Sequence, residues 1–295
     1  SSHGIYFKNA SNGTIINDNN ITVSGNNNHG IYTRDLSFQN IISNNSITTF
    51  GTGGFGVHFI SSSYENVLIN NTIVTSEDTA YGIYISDTSC NTTGIINNTI
   101  TTSGANSYGV HLLNSDLNNI NNNNIICSGN DGNGVYFASS SKRNVLNNNI
   151  INSTSSAIVS EAMAVSNTIS NNTLSVSKNG DYGFYSTSNH YQIDNNQITS
   201  SGNNSYGLYF EISDNNTVDN NSIITSGDSS HGIYLTQSSD NETVTNNSIT
   251  TSGSNSYGIY VSNLFSYDNS FDNNSVTTSG NSSHGIYIND STNYI

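Results

Sequence analysis

Two aspartates in the second half of the chain are the residues whose type and spacing come closest to a reactive pair. Asp194 and Asp219 each follow an aliphatic residue at the same point of two similar segments. If those segments stack as neighbouring strands, the carboxyl groups lie about 5 Å apart, which is the separation found in retaining glycosidases. The pair could equally hold a weakly bound Ca²⁺. The next segment carries Thr245 at this point, and no Lys or Arg lies nearby, so we predict no catalytic residues and no enzyme.

The seven histidines do not form a metal-binding motif. Four of them directly precede a glycine, where similar segments carry Tyr, Phe, Asn or Ser: His3, His29, His231 and His284. This interchange indicates a slot for packed aromatic rings rather than converging zinc ligands. Cys90 and Cys127 fall at different points of their segments, which favours two free thiols. The sequence therefore predicts no metal and no cofactor.

The charge balance excludes two classes of partner. Net charge is −15, and the basic residues are Lys8, Arg34, Lys142, Arg143 and Lys178. A phosphate backbone or an anionic membrane surface needs clustered cations, so we predict no nucleic-acid partner and no membrane-surface binding. No apolar run reaches the length of a membrane span, so we predict none in this chain.

One short motif recurs throughout the chain and defines its organisation. The hexapeptide Ser-Ser-His-Gly-Ile-Tyr begins at Ser1, Ser229 and Ser282, and its Gly-Ile-Tyr part returns with variation every 23 to 27 residues. A fixed period of this length is the signature of a repeat architecture. No linker separates the units, so we expect residues 1–295 to form a single domain.

Three apolar columns run through these units. The first follows the repeat glycine, and the other two lie five residues apart, with Val145 and Ile150 as our assignment in the sixth unit. β-branched residues in alternating patterns favour short strands over helices. A short strand buries little alone, but stacking gives it a parallel neighbour and merges the columns into one core. The sequence thus predicts an all-β solenoid of about twelve coils with three short strands per coil.

The pattern Ile-x-Asn-Asn-x-Ile, then Ser-Gly, then Tyr-Gly-Ile-Tyr resembles the right-handed parallel β-helix repeat. That repeat is shared by pectate-lyase-like enzymes, by periplasmic carbohydrate-binding proteins and by adhesin-like surface proteins of archaea and bacteria. The resemblance covers essentially the whole chain, and the richness in Asn, Ser and Thr is most similar to the adhesin-like group. The Gly-His-Gly and Asp-Asp motifs of polygalacturonase-like enzymes are absent. The resemblance implies a right-handed parallel β-helix.

An asparagine precedes the third apolar column by two residues in every complete unit. Asn tolerates the left-handed backbone region that a sharp bend requires, and stacked amides can hydrogen-bond from coil to coil. The resemblance implies the same asparagine ladder at this bend. The predicted members are Asn19, Asn45, Asn71, Asn98, Asn123, Asn148, Asn172, Asn196, Asn221, Asn247 and Asn274.

The tyrosine of Gly-Ile-Tyr defines a candidate contact stripe. Alternation places it on the outer face, beside the small glycine column, where exposed rings could contact sugar or protein. The other interpretation, which the sequence favours slightly, is that neighbouring rings stack along the sheet and shield its hydrogen bonds. The stripe comprises Tyr6, Tyr32, Tyr84, Tyr136, Tyr185, Tyr209, Tyr234, Tyr260 and Tyr287.

N-linked glycosylation sequons also recur at one position. If the ladder asparagine points inward, its predecessor can point outward and carry a sugar. The alternative is that Ser and Thr simply suit an outward strand position. The predicted glycosylation sites, each with Ser or Thr two residues on, are Asn44, Asn70, Asn97, Asn171, Asn220, Asn246 and Asn273.

Three functions follow from these features. The first is an extracellular structural protein, a rigid surface stalk or fibre segment. The second is a carbohydrate-binding module that uses the tyrosine stripe, and the third is a polysaccharide lyase or glycoside hydrolase centred on Asp194 and Asp219. Neither terminus resembles a polar cap, so we expect further repeats or other copies of the chain to stack end to end, with glycans or cell-surface molecules as further partners.

Overall fold

The computed structural model describes residues 2–9, 11–262 and 268–289. The predicted all-β solenoid with three strands per coil is confirmed, because these residues form 34 strands and no helix. Consequently, the described part of the chain has no helix long and apolar enough to cross a membrane. The residues before Ser2 and after Asn289, on which part of the end-to-end prediction rests, lie outside the described residues.

Each of the eleven complete coils contributes one strand to each of three sheets, and β34 adds a twelfth strand to the first sheet. The first sheet contains β1 Ile5–Phe7, β4 Ile31–Thr33, β7 Val57–Ile60, β10 Ile83–Ser86, β13 Val110–Leu113, β16 Val135–Ala138, β19 Ile158–Ser160, β22 Phe184–Ser186, β25 Leu208–Glu211, β28 Ile233–Thr236, β31 Ile259–Ser262 and β34 Ile286–Asn289. The second contains β2 Ile15–Asn17, β5 Ile41–Ser43, β8 Val67–Ile69, β11 Gly94–Ile96, β14 Asn119–Asn121, β17 Val145–Asn147, β20 Thr168–Ser170, β23 Gln192–Asp194, β26 Thr217–Asp219, β29 Thr243–Thr245 and β32 Ser270–Asp272. The third contains β3 Asn20–Ser24, β6 Ser46–Phe50, β9 Thr72–Thr75, β12 Thr99–Thr102, β15 Asn124–Cys127, β18 Ile150–Ser153, β21 Thr173–Val176, β24 Gln197–Ser200, β27 Ser222–Thr225, β30 Ser248–Thr251 and β33 Ser275–Thr278.

The chain divides into two compact units, residues 1–155 (unit 1) and 156–295 (unit 2). In unit 1 the first sheet runs β1-β4-β7-β10-β13-β16, and in unit 2 it runs β19-β22-β25-β28-β31-β34. Within each unit every strand pairs in parallel with the equivalent strand of the next coil, as in the register of Ile83 with Val110. The expectation of a single domain stays a prediction.

The core of each unit is the space enclosed by the three sheets. The columns meet there because strands of the second and third sheets alternate inward and outward residues, as in the exposed-buried-exposed-buried pattern of β27. Ile95, Ile100 and Val110 have no exposed surface in one such coil. The tight spacing of the coils leaves room for only hydrogen at the repeat glycine, because a Cβ on Gly109 would lie 2.3 Å from the Cγ2 of Ile125.

The sixth coil corrects our column assignment. Val145 and Ile150 are 38% and 49% exposed, while Leu146 and Ile151 have no exposed surface. Leu146 pairs in register with Ile120, so the strand is displaced by one residue from the predicted alignment. A shift of one residue exchanges the two faces of a strand, and the sequence here offers two adjacent aliphatic residues at each column.

Candidate functional site

The asparagine ladder occupies the bend between the second and third sheets. Asn123 donates its Nδ2 hydrogens to the Oδ1 of Asn149 at 3.0 Å and to the carbonyl of Ile95 at 2.8 Å. Its own Oδ1 accepts the backbone N–H of Asn98 at 2.9 Å and the Nδ2 of Asn98 at 3.0 Å. Each buried amide therefore satisfies donors and acceptors of the coils on both sides.

The same Nδ2-to-Oδ1 bond of 3.0 Å recurs along both units. This first ladder consists of Asn19, Asn45, Asn71, Asn98, Asn123, Asn149, Asn172, Asn196, Asn221, Asn247 and Asn274.

Two details of the predicted ladder are wrong. Asn148 is exposed and outside the ladder, and Asn149 takes its place, because the sixth coil is displaced by one residue. The left-handed bend residue is also not the ladder asparagine but its predecessor, as at Asn44 with φ of 54° and Asn97 with φ of 55°. That conformation turns the predecessor outward and its successor inward.

A second ladder, which we did not predict, lies at the entrance to the second sheet. Asn40 donates its backbone N–H and its Nδ2 to the Oδ1 of Asn66, both at 3.0 Å. Asn118 makes the same pair of bonds to Asn144 at 2.8 and 2.9 Å. The signal was present in the sequence, because these asparagines precede the second apolar column by two residues, as the first ladder precedes the third column.

The second ladder has substitutions at some positions in both units. Its members in unit 1 are Thr14, Asn40, Asn66, Thr93, Asn118 and Asn144, and in unit 2 they are Asn167, Tyr191, Asn216, Glu242 and Asn269. Tyr191 is buried, and its hydroxyl accepts the Nδ2 of Asn167 at 2.8 Å and donates to the carbonyl of Ala164 at 2.6 Å. Burial raises the pKa of Tyr191.

The predicted tyrosine stripe is one of two parallel rows of rings on the first sheet. Tyr234 and Tyr260 stack with centroids 4.9 Å apart and planes at 4°. A second row, formed by the residue before the repeat glycine, flanks it, and its rings meet the first row edge-on, as His231 meets Tyr234 at 64°. The flanking row comprises His3, His29, Phe55, Tyr81 and Tyr108 in unit 1, and Tyr182, Tyr206, His231, Tyr257 and His284 in unit 2.

This packing determines which parts of the tyrosine rings are exposed to solvent. Most of its tyrosines are half-buried, Tyr6 is 46% exposed, and His58 and His111 within the same column are buried. Ring faces contact the next coil, so edges and hydroxyl groups point outward. Burial raises the pKa of Tyr84, and that of Tyr81 to about 12, so these phenols are neutral at physiological pH.

Three residues of unit 1 form a buried hydrogen-bonded chain inside the ring rows. The backbone N–H of Phe55 donates to the Nδ1 of His29 at 3.1 Å, so the proton of a neutral His29 is on Nε2. That nitrogen lies 3.3 Å from the Nδ1 of His58, whose Nε2 lies 3.2 Å from the Oγ of Ser86. Each imidazole therefore donates toward Ser86, and burial lowers the pKa of His29 to about 4 and that of His58 to about 3.

The structure brings the candidate carboxylates together. Asp194 and Asp219 are register partners on β23 and β26. Asp194 accepts the Nδ2 of Asn195 at 2.9 Å, and Asp219 accepts the hydroxyl of Thr245 and the Nδ2 of Asn246, both at 2.7 Å. Among the described residues no three His, Cys, Asp or Glu side chains converge as metal ligands. Cys90 and Cys127 are buried free thiols.

The predicted glycosylation sites all lie on one outward column. All seven asparagines are exposed, and each has a positive φ between 54° and 57° at the one-residue bend. The Ser or Thr two residues on begins a strand of the third sheet and is exposed in every case. Other sequons differ, since the hydroxyl residues Thr93 and Ser205 are fully buried.

A surface groove of about 630 Å³ lies at the beginning of the ring rows in unit 1. Its lining combines aromatic rings with one cation: Ser2, His3, Tyr6, Asn27, His29, Tyr32 and Arg34. Arg34 forms an ion pair with Asp35 at 3.0 Å. The groove therefore offers ring edges, hydroxyl groups and a guanidinium within one concave surface.

Comparison with known proteins decides the family. The family described as right handed beta helix region matches residues 51–198 and 164–295. The chain belongs to this right-handed β-helix family. The predicted handedness and the β-helix repeat are thereby confirmed, whereas the resemblance to adhesin-like proteins in particular stays a prediction. No curated protein matches the chain.

Solved structures share the fold at low sequence identity. A chain in the structure of the Vag8–C1 inhibitor complex is 14% identical, with a TM-score of 0.58 over 91% of this chain and 73% of that one. A double mutant of the periplasmic alginate epimerase AlgG is 12% identical, with a TM-score of 0.53 over 91% of this chain and 66% of that one. The present chain thus spans about two thirds of the epimerase. DFA-IIIase from Arthrobacter chlorophenolicus A6 is 12% identical with a TM-score of 0.49, covering 82% and 66% of the two chains.

These comparisons overturn the prediction that the chain is not an enzyme. That prediction rested on the interrupted aspartate pair, the lack of nearby Lys or Arg and the missing motifs, but a periplasmic epimerase carries the same β-helix fold. The fold is therefore one on which carbohydrate enzymes are built, and it gives no ground for excluding catalysis.

Proposed function

We propose that this chain is a structural segment of an extracellular or cell-surface protein, in which stacked coils hold other parts of the molecule apart. The observation that carries the proposal is the use of polar and aromatic columns for contacts between coils. Both asparagine ladders and both ring rows bond or pack along the coil axis within each unit. Such contacts resist separation of neighbouring coils, which is what a load-bearing segment requires.

Single-molecule pulling tests this function directly. The full chain is tethered at its two ends and extended, with the Asn123→Ala variant as a comparison. We expect stepwise unfolding in increments of whole coils, 23 to 27 residues each, and a lower force for the coil that has lost its ladder amide. Extension without force steps would overturn the proposal, as would turnover of a polysaccharide that Asp219→Asn abolishes.

We further propose that the outward column of sequons carries N-linked glycans. Support comes from the exposure and outward bend of Asn70 and Asn246, each with an exposed hydroxyl residue two positions on. A chain with only 8% charged residues would gain solubility and protease resistance from such a coat. Peptide mass spectrometry of protein from its natural source tests this, and unmodified Asn70 and Asn246 would contradict it.

Carbohydrate binding is the second candidate function, and the groove beside Tyr6 and Tyr32 favours it. Aromatic edges, neutral hydroxyl groups and Arg34 suit an acidic sugar, because a guanidinium pairs with a carboxylate. Support also comes from the fold shared with an alginate epimerase. A glycan array tests this function with Arg34→Gln and, as a control away from the groove, Arg143→Gln. Binding of an acidic glycan that only Arg34→Gln weakens would establish the site, and an array without binding would remove it.

End-to-end association with other copies or further repeats is part of the structural proposal. Strand edges at the end of a sheet carry unpaired backbone groups that can pair with another chain. Light scattering of the purified chain across a concentration series tests this, and a strictly monomeric protein would contradict association between copies.

A further inference from the structure

Glu242 is a buried acid in a position that other coils fill with asparagine. It has no exposed surface. Its Oε1 accepts the Nδ2 of Asn216 at 2.8 Å and the backbone N–H of Asn216 at 3.4 Å. Its own N–H donates to the Oδ1 of Asn269 at 2.7 Å. Glu242 thus accepts the same two hydrogen bonds that the side-chain oxygen of a ladder asparagine accepts.

Because Oε1 of Glu242 accepts the bonds that a ladder Oδ1 accepts, Oε2 is the counterpart of the amide nitrogen of a ladder asparagine. In the equivalent positions, Asn144 donates its Nδ2 to the carbonyl of Ser115 and Asn269 donates its Nδ2 to the carbonyl of Ser239, each at 3.0 Å. The Oε2 of Glu242 is buried and has no hydrogen-bond partner among the described residues. An ionised carboxylate has no hydrogen to donate there, whereas a protonated one has an O–H.

We propose that Glu242 stands in the second ladder as a neutral carboxylic acid in place of an asparagine amide, and that its ionisation destabilises unit 2 as the pH rises. This pH-dependent stability, which we call the Glu242 latch, is independent of the proposed structural function. By register, the expected acceptor of the O–H is the carbonyl of Ser213.

The electrostatic surroundings agree with a neutral Glu242. Burial raises its pKa well above the ordinary value of 4.5, and the nearby carboxylates of Asp214 and Asp240 raise it further, while the hydrogen bonds from Asn216 oppose the shift. The two ladder residues bonded to it, Asn216 and Asn269, are uncharged. No Lys or Arg follows Lys178 in the sequence, so none belongs to the coil of Glu242 or to the coils on either side of it.

The direction of the pH effect follows from the raised pKa. The neutral form stabilises the fold fully below the unfolded pKa of about 4.5, and that stabilisation is lost as the pH rises toward the folded pKa. Because His231 in the same unit titrates in the opposite sense, the effect of Glu242 is isolated only by comparison with a variant that lacks the acid.

Two measurements on the full chain test the latch. The chain has five glutamates, so ¹³C-carboxyl labelling of glutamate gives few NMR signals. We expect one signal to remain in the protonated position at neutral pH and to vanish in Glu242→Gln. If no glutamate signal of the wild-type protein is protonated at neutral pH, the proposal is overturned, and this result does not depend on the folding of any variant.

Denaturant unfolding across pH supplies the second measurement. The unfolding equilibrium constant of the wild type relative to Glu242→Gln should rise by about tenfold for each pH unit above the unfolded pKa until the folded pKa is reached. The matched control is Glu65→Gln, because Glu65 is exposed and lies directly before a ladder asparagine. The unfolding equilibrium constant of the wild type relative to Glu65→Gln should not rise tenfold with each pH unit. A ratio for Glu242→Gln that is constant with pH would overturn the latch.

Discussion

Asn123 illustrates how one side chain joins three coils. Its amide bonds forward to Asn149 and backward to Asn98 and to the carbonyl of Ile95, and it is 1% exposed. An alanine there would leave a buried carbonyl and two buried N–H groups without partners. Buried groups without partners are more costly than the hydrogen bonds themselves are favourable.

We therefore expect Asn123→Ala to lower the free energy of unfolding by about 1–3 kcal/mol. The matched control is Asn119→Ala, because Asn119 lies in the same coil on an exposed strand position and should change stability by no more than about 0.5 kcal/mol. Equal denaturation midpoints for the two variants would contradict a stabilising ladder.

His111 is one residue through which acid should act on the ring rows. Both of its ring nitrogens are buried without a partner among the described residues, and burial lowers its pKa to about 4. The unfolded chain takes up the proton near 6.5, so stability present above that pH is lost as the pH falls toward 4. At about pH 5 the loss is roughly 2 kcal/mol.

Replacement of His111 by Tyr should remove this part of the acid sensitivity. Tyr84 and Tyr136 occupy the same column in the adjacent coils, with ring centroids 4.8 and 5.1 Å from His111. We expect the melting temperature of His111→Tyr to fall less than that of the wild type between neutral and mildly acidic pH. His190→Asn is the control, because His190 is exposed. A wild-type pH profile retained in His111→Tyr would contradict the prediction.

At the scale of elements, the glycine column sets how closely the strands of the first sheet approach the third sheet. A Cβ on Gly109 would lie 2.3 Å from the Cγ2 of Ile125 and 2.6 Å from the carbonyl oxygen of Gly134. In the seventh coil the repeat-glycine position is occupied by Ala157, which is fully buried. A methyl group is therefore accommodated at this position only where the local packing differs.

We expect Gly109→Ala to destabilise unit 1 by about 1–3 kcal/mol through overpacking. Gly94→Ala is the matched control, since the nearest atom to its added Cβ is the flexible end of Ile96 at 3.5 Å. Thermal unfolding distinguishes the two, and equal stability of both variants would contradict a steric role for the column.

Some elements could be predicted from the sequence because their signals repeat in register. The apolar columns and the first ladder recur in almost every coil, so one ambiguous coil does not obscure them. In the sixth coil, Val145 and Leu146 suit the same column equally well, and only pairing with Ile120 in the adjacent coil selects Leu146. The second ladder followed the same spacing rule and was overlooked, because Thr93, Tyr191 and Glu242 interrupt it.

The chemistry of individual side chains was less predictable than the fold. The Gly-Ile-Tyr motif could be recognised in the sequence, yet the burial of its tyrosines depends on the flanking row of rings that packs beside them. Similarly, Glu242 follows Asn241 in a sequon-bearing turn, and nothing local distinguishes it from an exposed acid. Its burial results from the register of the coils on either side, which the sequence specifies only through the ladder.

At the scale of the whole molecule, the central claim is that each coil is an equivalent stacking unit. Within each unit, the complete coils repeat the same three strands and bends, and their polar columns bond to the adjacent coils. If this is correct, a complete coil can be removed without loss of the fold, because its two neighbours present matching surfaces to each other. A partial coil cannot be removed, because the columns on either side would no longer coincide.

Excision of residues 56–81 tests this claim most directly. The deletion removes β7, β8 and β9 and joins Phe55 to Gly82, which preserves the aromatic-glycine step of the repeat. We predict that the shortened chain keeps its β-sheet circular dichroism and a cooperative thermal transition, and that excision of residues 56–68 alone abolishes the transition. Loss of cooperative unfolding after removal of the complete coil, or retention of it after removal of the partial coil, would contradict the account.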